Sequence, residues 1–360
     1  MSLKEQKGEN KLMVIRTEAP CKVIITGEHG VVHGSPGIAI PIEPTNRIVL
    51  KEKKGKPAIT FKSHLGEVKL DKNLVSQGEE GPFKPFTALL RHFGTTHGFK
   101  PKGAMSIEIK ADVPKGVGAS ASISAALSLA LFQYLGKTPK TGASPEQDEL
   151  WNAVQVAEEV AHSGRPSGID AMTVLRGPTR LIRSVEAGKP KWNFQRVNVS
   201  LPRGTTLLII DTFKGKRSST GEMVKKVAAS LGLTKPDGSV KSIAEFTSAD
   251  HAKVKGFRSA FEEVSANLHK NGNVTELGSA LNNNHEILMS HGASSEEIQH
   301  AIRTLRGISG VFGAKLTGAG GEGGAVIALI KKAQARKIIT KLKQSGFNAF
   351  EAKPTKGAVE

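Results

Sequence analysis

Asp112-Val-Pro-Lys-Gly-Val-Gly-Ala-Ser-Ala-Ser122 is where the periodicity of the chain changes. Before it, Met105 to Ile109 alternates apolar and polar residues, as a strand with one buried face does. After it, Ile123, Ala126, Leu127, Ala130, Leu131 and Tyr134 recur at intervals of three and four, a helical period that Gly136 stops. Gly116 and Gly118 can take backbone angles that bring amide N–H groups against a ligand, and the small residues from Ala119 to Ser122 leave room for it. A helix starting there offers unpaired N–H groups and the positive end of its dipole, which suits a phosphate, and Ser120 is a candidate Mg2+ ligand. The same turn also reads as a Gly-rich connection that binds nothing. It is not a Walker A sequence, and Ala121 stands where G-x-G-x-x-G needs its third glycine.

Working outward, Met13 to Ile15, Val23 to Ile25, Ile48 to Leu50, Ala58 to Phe61 and Glu67 to Leu70 read as short strands. The elements of the basic, Gly- and Pro-containing stretch 51–103 cannot be ordered. A helix is expected from Glu146 to about His162, with Leu150, Val154, Ala157 and Ala161 on one face. Leu207 to Asp211 reads as an apolar strand. Basic helices follow over 225–231, 250–270, 275–289 and 296–305, then a strand over 325–330 and a helix over 333–344. The 360 residues exceed what one core usually fills, so two domains are expected, 1–200 and 201–360.

Composition narrows the function. With 38% hydrophobic and 23% charged residues the chain is globular. The balance of 51 Lys and Arg against 33 Asp and Glu gives +18, which suggests an anionic partner: nucleic acid, a membrane or a phosphorylated small molecule. Only 14 Phe, 2 Trp and 1 Tyr are present, little material for stacking bases. The lone Cys21 cannot form an internal disulfide. The first residues lack the apolar core of a secretory signal, and Ala125 to Phe132 is too short to span a bilayer. These features point to a soluble, cytoplasmic protein.

Two more clusters carry chemistry. Glu159-Val-Ala-His-Ser-Gly-Arg-Pro-Ser-Gly-Ile-Asp170 sets Glu159 late on a helix and Asp170 after a turn, so the chain can fold two carboxylates toward one site. One can hold Mg2+ while the other orients or deprotonates a hydroxyl. Alternatively Glu159 is solvated and Asp170 caps a helix. Lys315-Leu-Thr-Gly-Ala-Gly-Gly-Glu-Gly-Gly324 packs five glycines into seven residues, costly in entropy for a mere loop, though a packing turn remains an alternative. His29 and His33 are four apart, but Gly30-Val-Val between them argues against a helical metal pair.

These clusters, preceded by Ala19-Pro-Cys-Lys-Val-Ile-Ile-Thr-Gly-Glu-His-Gly-Val-Val-His-Gly34, occur in the order typical of the GHMP small-molecule kinases, and the chain resembles that family from Ala19 to about Leu329. The first segment is most similar to the branch acting on mevalonate; Val31 and Val32 argue against a galactose enzyme. The resemblance implies a two-domain α+β fold, an N-terminal ribosomal-protein-S5-like α/β domain and a C-terminal ferredoxin-like one, with the active site in the cleft between them. It implies transfer of the ATP γ-phosphoryl group to the primary hydroxyl of mevalonate, with ATP and Mg2+ required. It also implies no nucleic-acid or membrane partner, and leaves a homodimer open. Lys115, Gly116, Val117, Gly118, Ala119, Ser120, Ala121 and Ser122, with Gly318 and Ala319, then correspond to ATP-binding positions. Ser120 and Glu159 correspond to Mg2+ ligands, Asp170 and Lys22 to catalytic residues, and Lys22, Glu28, His29, Asp170 and Thr220 to substrate-side residues. Cys21, Ala119, Ser163 and Glu322 depart from the family pattern, and none removes an expected catalytic group. The alternatives are another GHMP kinase, acting on phosphomevalonate or on the other hydroxyl of mevalonate, and a non-catalytic nucleic-acid-binding relative.

Overall fold

The computed structural model describes residues 12–111, 116–140, 147–162, 166–213, 215 and 218–359. They form two compact units, one from residues 1–19, 45–112 and 120–164, the other from 20–44, 113–119 and 165–360. The chain enters each unit three times. Both mix strands and helices, in agreement with the α+β class.

The larger unit is organised by a four-stranded antiparallel sheet in the order Asn348–Ala352, Thr205–Asp211, Ala325–Lys331, Val311–Thr317. Its inner strands are buried at nearly every position because both faces are covered. Side chains alternate between faces, so Leu208, Ile210, Val326, Ala328 and Ile330 enter one core with Val227, Ile298, Ile302 and Leu342. Leu207, Ile209, Ile327 and Leu329 enter another with Phe261, Val264, Leu277, Leu281 and the strand residues Cys21, Val23 and Ile25. The first group of helices is Thr220–Ser230, Glu296–Arg306 and Ala335–Gln344; the second is Lys255–Asn267 and Val274–Ser290. The single helix expected over 250–270 is two, Ser248–Lys253 and Lys255–Asn267, separated at Val254. A hairpin that the sequence reading passed over, Thr179–Glu186 with Lys189–Arg196, turns on Ala187 and Gly188, both at positive φ.

In the smaller unit, residues 47–53 of the long strand Gly37–Lys53 pair antiparallel with Ala104–Lys110. That strand runs parallel to Ala58–Ser63, which pairs back with Gly66–Asp71. Ile48, Leu50, Ile59, Phe61, Leu70 and Ile107 are all fully buried, as a one-sided sheet requires. The helices here are Lys84–His97, Ala119–Tyr134 and Glu149–Ala161. The second is buried almost all round, Ser122, Ser124 and Ser128 included, whereas its sequence suggested a stripe. The third is capped by Asp148, whose carboxylate accepts from the Leu150 and Trp151 amides; Glu146, where the sequence puts its start, lies outside the described residues.

One polar knot ties this unit together. The buried Glu52 carboxylate accepts from the amides of Lys102 (2.7 Å) and Gly103 (3.0 Å) and from the Tyr134 hydroxyl (3.1 Å). Burial and the adjoining Glu52 charge push the Tyr134 phenol up to about 12, so it stays a donor. Glu52→Ala strands three donors and should destabilise by about 2 to 4 kcal/mol, while Glu52→Gln should cost less. Urea unfolding of the two variants checks this; equal, small losses would contradict it.

Candidate active site

Lys22 and Asp170 form the centre of the site. Lys22 lies in the strand Met13–Thr26, where its amide donates to the Val117 carbonyl at 2.9 Å. Its side chain runs over Gly118, where an added Cβ would come within 2.8 Å of Lys22 Cγ and Cε and where φ is +71°. Only glycine leaves room for the lysine stem there. Asp170 lies in the first turn of the helix Ile169–Arg176, which Gly168 caps with φ 80°, so the aspartate is inside the helix and not its cap. The positive helix end favours its carboxylate. Lys22 Nζ and Asp170 Oδ1 are 2.8 Å apart, the lysine side chain 4% exposed and the aspartate 19%.

Two Gly-rich segments meet beside this pair. An added Cβ at Gly318 would lie 3.4 Å from the Gly116 carbonyl oxygen, and one at Gly116 would lie 3.0 Å from the Ala325 side chain. The last loop is anchored through the Gly321 amide to the Ala293 carbonyl (2.7 Å) and through Glu322 to Ser218, amide to hydroxyl and carbonyl to amide, each 3.0 Å. The Glu322 side chain is exposed, so the departure from the family pattern does not put a carboxylate inside the loop. Thr220 opens the helix Thr220–Ser230 two residues beyond Ser218, half-buried behind a reciprocal Ser219–Glu222 cap. Among the expected phosphate-loop residues, Lys115 lies outside the described residues, as does Ser163. Ser122 turns its hydroxyl away to the Ala19 carbonyl at 2.8 Å, so it staples helix to strand. Val117 and Ala121 are fully buried, and Val117 serves through its backbone.

Glu28 and His29 sit in the turn after the first strand. His29 is at φ 58°, an unusual conformation for a residue with a side chain. Its Nε2 is 2.9 Å from the Ala319 carbonyl oxygen, which can only accept, so Nε2 carries the hydrogen. Burial lowers the ring to about 4, leaving a neutral imidazole whose buried Nδ1 has a free lone pair and no hydrogen-bond partner. Glu28 pairs with Lys315, a residue to which the sequence reading gave no role.

The two neighbouring glutamates of the expected metal site differ in burial. In the helix Glu149–Ala161, Glu159 is exposed whereas Glu158 is buried. Successive helical residues point about 100° apart, so the stripe Leu150, Val154, Ala157 carries 158 inward and 159 outward. Glu158 Oε2 is 3.1 Å from His162 Nε2, one turn on, while Glu158 Oε1 is buried without a partner. The Ser120 hydroxyl is likewise buried and unpartnered. Two spare hard oxygens suit Mg2+, so the residues present fit that ion.

Family comparison assigns the chain. The model for the GHMP kinases N terminal domain matches residues 83–177, and that for GHMP kinases C terminal matches 260–348, together just over half of the chain. The chain belongs to the GHMP kinases. A mevalonate kinase of Aeropyrum pernix is 29% identical over 94% of this chain and 95% of its own length. One of Methanocaldococcus jannaschii is 25% identical over 93% and 98%. The crystal structure of Leishmania major mevalonate kinase in complex with R-mevalonate superposes with a TM-score of 0.70 at 20% identity, covering 97% of this chain and all of that one. No helix among the described residues is long and apolar enough to cross a membrane.

The histidines of this GHMP kinase make its stability depend on pH. Burial lowers His29, His33 and His285 each to about 4, from an ordinary value near 6.5. Between those values the unfolded chain takes up protons that the folded state refuses. Stability present above about pH 6.5 is therefore lost as pH falls toward 4. Melting temperatures at pH 7.5, 6 and 5 should decline in that order, and less steeply for His33→Leu, which removes a ring whose two nitrogens are buried and unpartnered.

Proposed function

We propose that this kinase transfers the γ-phosphoryl group of ATP to the primary hydroxyl of (R)-mevalonate, giving 5-phosphomevalonate, and that it does so in the cytoplasm. The observation that carries this reading is the Lys22–Asp170 pair beside the glycines at 116 and 118, with the Glu28–His29 turn following the strand that carries Lys22. The named relatives and the mevalonate complex of the Leishmania enzyme support the choice of acceptor.

Phosphoryl transfer needs positioning and neutralisation of charge more than covalent chemistry. The backbone amides of Gly116 to Ser120, at the start of a helix, receive the phosphates of ATP, and the Gly318–Ala319 backbone faces the same loop. Bound Mg2+ supplies neutralisation of the triphosphate charge. Ser120 and Glu158, rather than Glu159, are the residues that hold it, with His162 fixing the Glu158 carboxylate. Asp170 accepts the proton of the attacking hydroxyl, and Lys22, 2.8 Å away, stabilises negative charge on that oxygen and on the transferred group. Thr220 contributes to the acceptor side.

Assayed as mevalonate-dependent ADP release, Asp170→Asn should lower kcat by about 10²- to 10⁴-fold with the melting temperature retained. Near-normal turnover would remove the aspartate from the chemistry. Of the two neighbouring glutamates, Glu158→Ala should raise the Mg2+ concentration needed for half-maximal rate by about tenfold or more, and Glu159→Ala should leave it unchanged. The reverse order would return the metal to Glu159.

A further inference from the structure

Lys315 is wholly buried on the strand Val311–Thr317, three residues before the last Gly-rich loop. Its ammonium donates to Glu28 Oε1 and, at 2.7 Å, to the Leu316 carbonyl. Burial pushes the Glu28 carboxyl up and the Lys315 amine down, and each partner's charge offsets that. An ion pair so deep is a poor way to gain stability, since apolar residues of the same volume often do as well or better. What the pair does achieve is orientation. With Oε1 held by Lys315, Glu28 Oε2 remains buried and unpartnered. His29, next in sequence, repeats the arrangement, with Nε2 held by Ala319 and Nδ1 unpartnered. A third tie lies at Thr317, whose hydroxyl accepts from the Ile24 amide and donates to the Ile24 carbonyl, both at 3.0 Å. Residues 24, 28 and 29 are thus fastened in order to 317, 315 and 319. Two acceptor atoms are left over, suited to the hydroxyl hydrogens of an alcohol.

We propose that Lys315 is a positioning residue of the acceptor site, holding the Glu28 carboxylate, and with it the Glu28–His29 turn, in the orientation that receives the alcohol. It does not touch substrate and acts through Glu28. The proposal rests on the acceptor reading of that turn given above.

Purified Lys315→Met, Glu28→Gln and the double variant, with melting temperatures recorded, separate positioning from mere packing. Lys315→Met is expected to lose at least tenfold in kcat/KM for mevalonate, with KM for ATP within threefold of wild type. Because the effect passes through Glu28, the double variant should be no worse than Glu28→Gln alone. Losses that multiply in the double variant, or a Lys315→Met enzyme that is less stable but kinetically normal, would overturn the proposal. If Lys315→Met does not fold, Lys315→Arg carries the test. It keeps the cation, so a purely structural role predicts an unchanged mevalonate KM, whereas positioning predicts a raised one because the wider guanidinium displaces the carboxylate. The wild-type enzyme run alongside keeps the two readings apart. Should it turn over another alcohol instead of mevalonate, the acceptor assignment fails and the same cycle is read with that alcohol. Absence of turnover with any alcohol overturns both.

Discussion

Charge buried in a protein must be paired, and in this kinase that constraint fixes the chemistry. Asp170, Lys22, Glu28 and Lys315 alternate in sign; burial pushes the Glu28 carboxyl up, and the charges of Lys315 and the nearby Lys22 offset part of that rise. Each member is placed by backbone as well as by its partner. Lys22 is set by the Val117 carbonyl and the bare Cα of Gly118, Asp170 by the helix that Gly168 starts, and Lys315 by a strand buried on both sides. The four-stranded sheet, with separate cores on its two faces, makes that strand rigid enough to carry a lysine inside it. Rigid support of this kind is what a reaction based on positioning needs.

Much of this was legible in the sequence wherever a local rule was strong. The Gly-rich turn before Ala119, the helix that follows and the apolar strands at 207–211 and 325–330 all follow from periodicity and glycine placement. Elements lacking a contrast between faces were missed. The hairpin at 179–196 is polar on much of both sides, and the helix Lys84–His97 was hidden in a basic stretch, although Phe86, Leu89, Leu90 and Phe93 hold its period. That Glu158 is buried and Glu159 exposed follows from helix phase, which the stripe at 150, 154 and 157 already contained. Motif spacing was the weaker guide because it counts residues without regard to direction. Lys315 could not be read, since nothing in a linear sequence tells a buried lysine from a solvated one.

The surplus of +18 also takes on a different meaning. The charges at the centre of the site cancel in pairs, so the excess lies elsewhere. Arg336, Lys337, Lys341 and Lys343, for example, are exposed on the helix Ala335–Gln344. In the proposed mechanism the phosphates are received by backbone amides at a helix start, and the spare oxygens of Ser120 and Glu158 are those that would hold Mg2+. Net charge therefore said little about the partner, whereas a few unpartnered buried atoms say much.

The central claim is that a single hydroxyl, the one presented to the Lys22–Asp170 pair, receives the phosphoryl group. Phosphorus and carbon NMR of the product formed from ATP and (R)-mevalonate tests it most directly. The account predicts one product, with the phosphate bonded to the primary C5 oxygen and formed in step with ADP. Phosphate on the tertiary hydroxyl, or ATP consumed at the same rate without mevalonate, would contradict it.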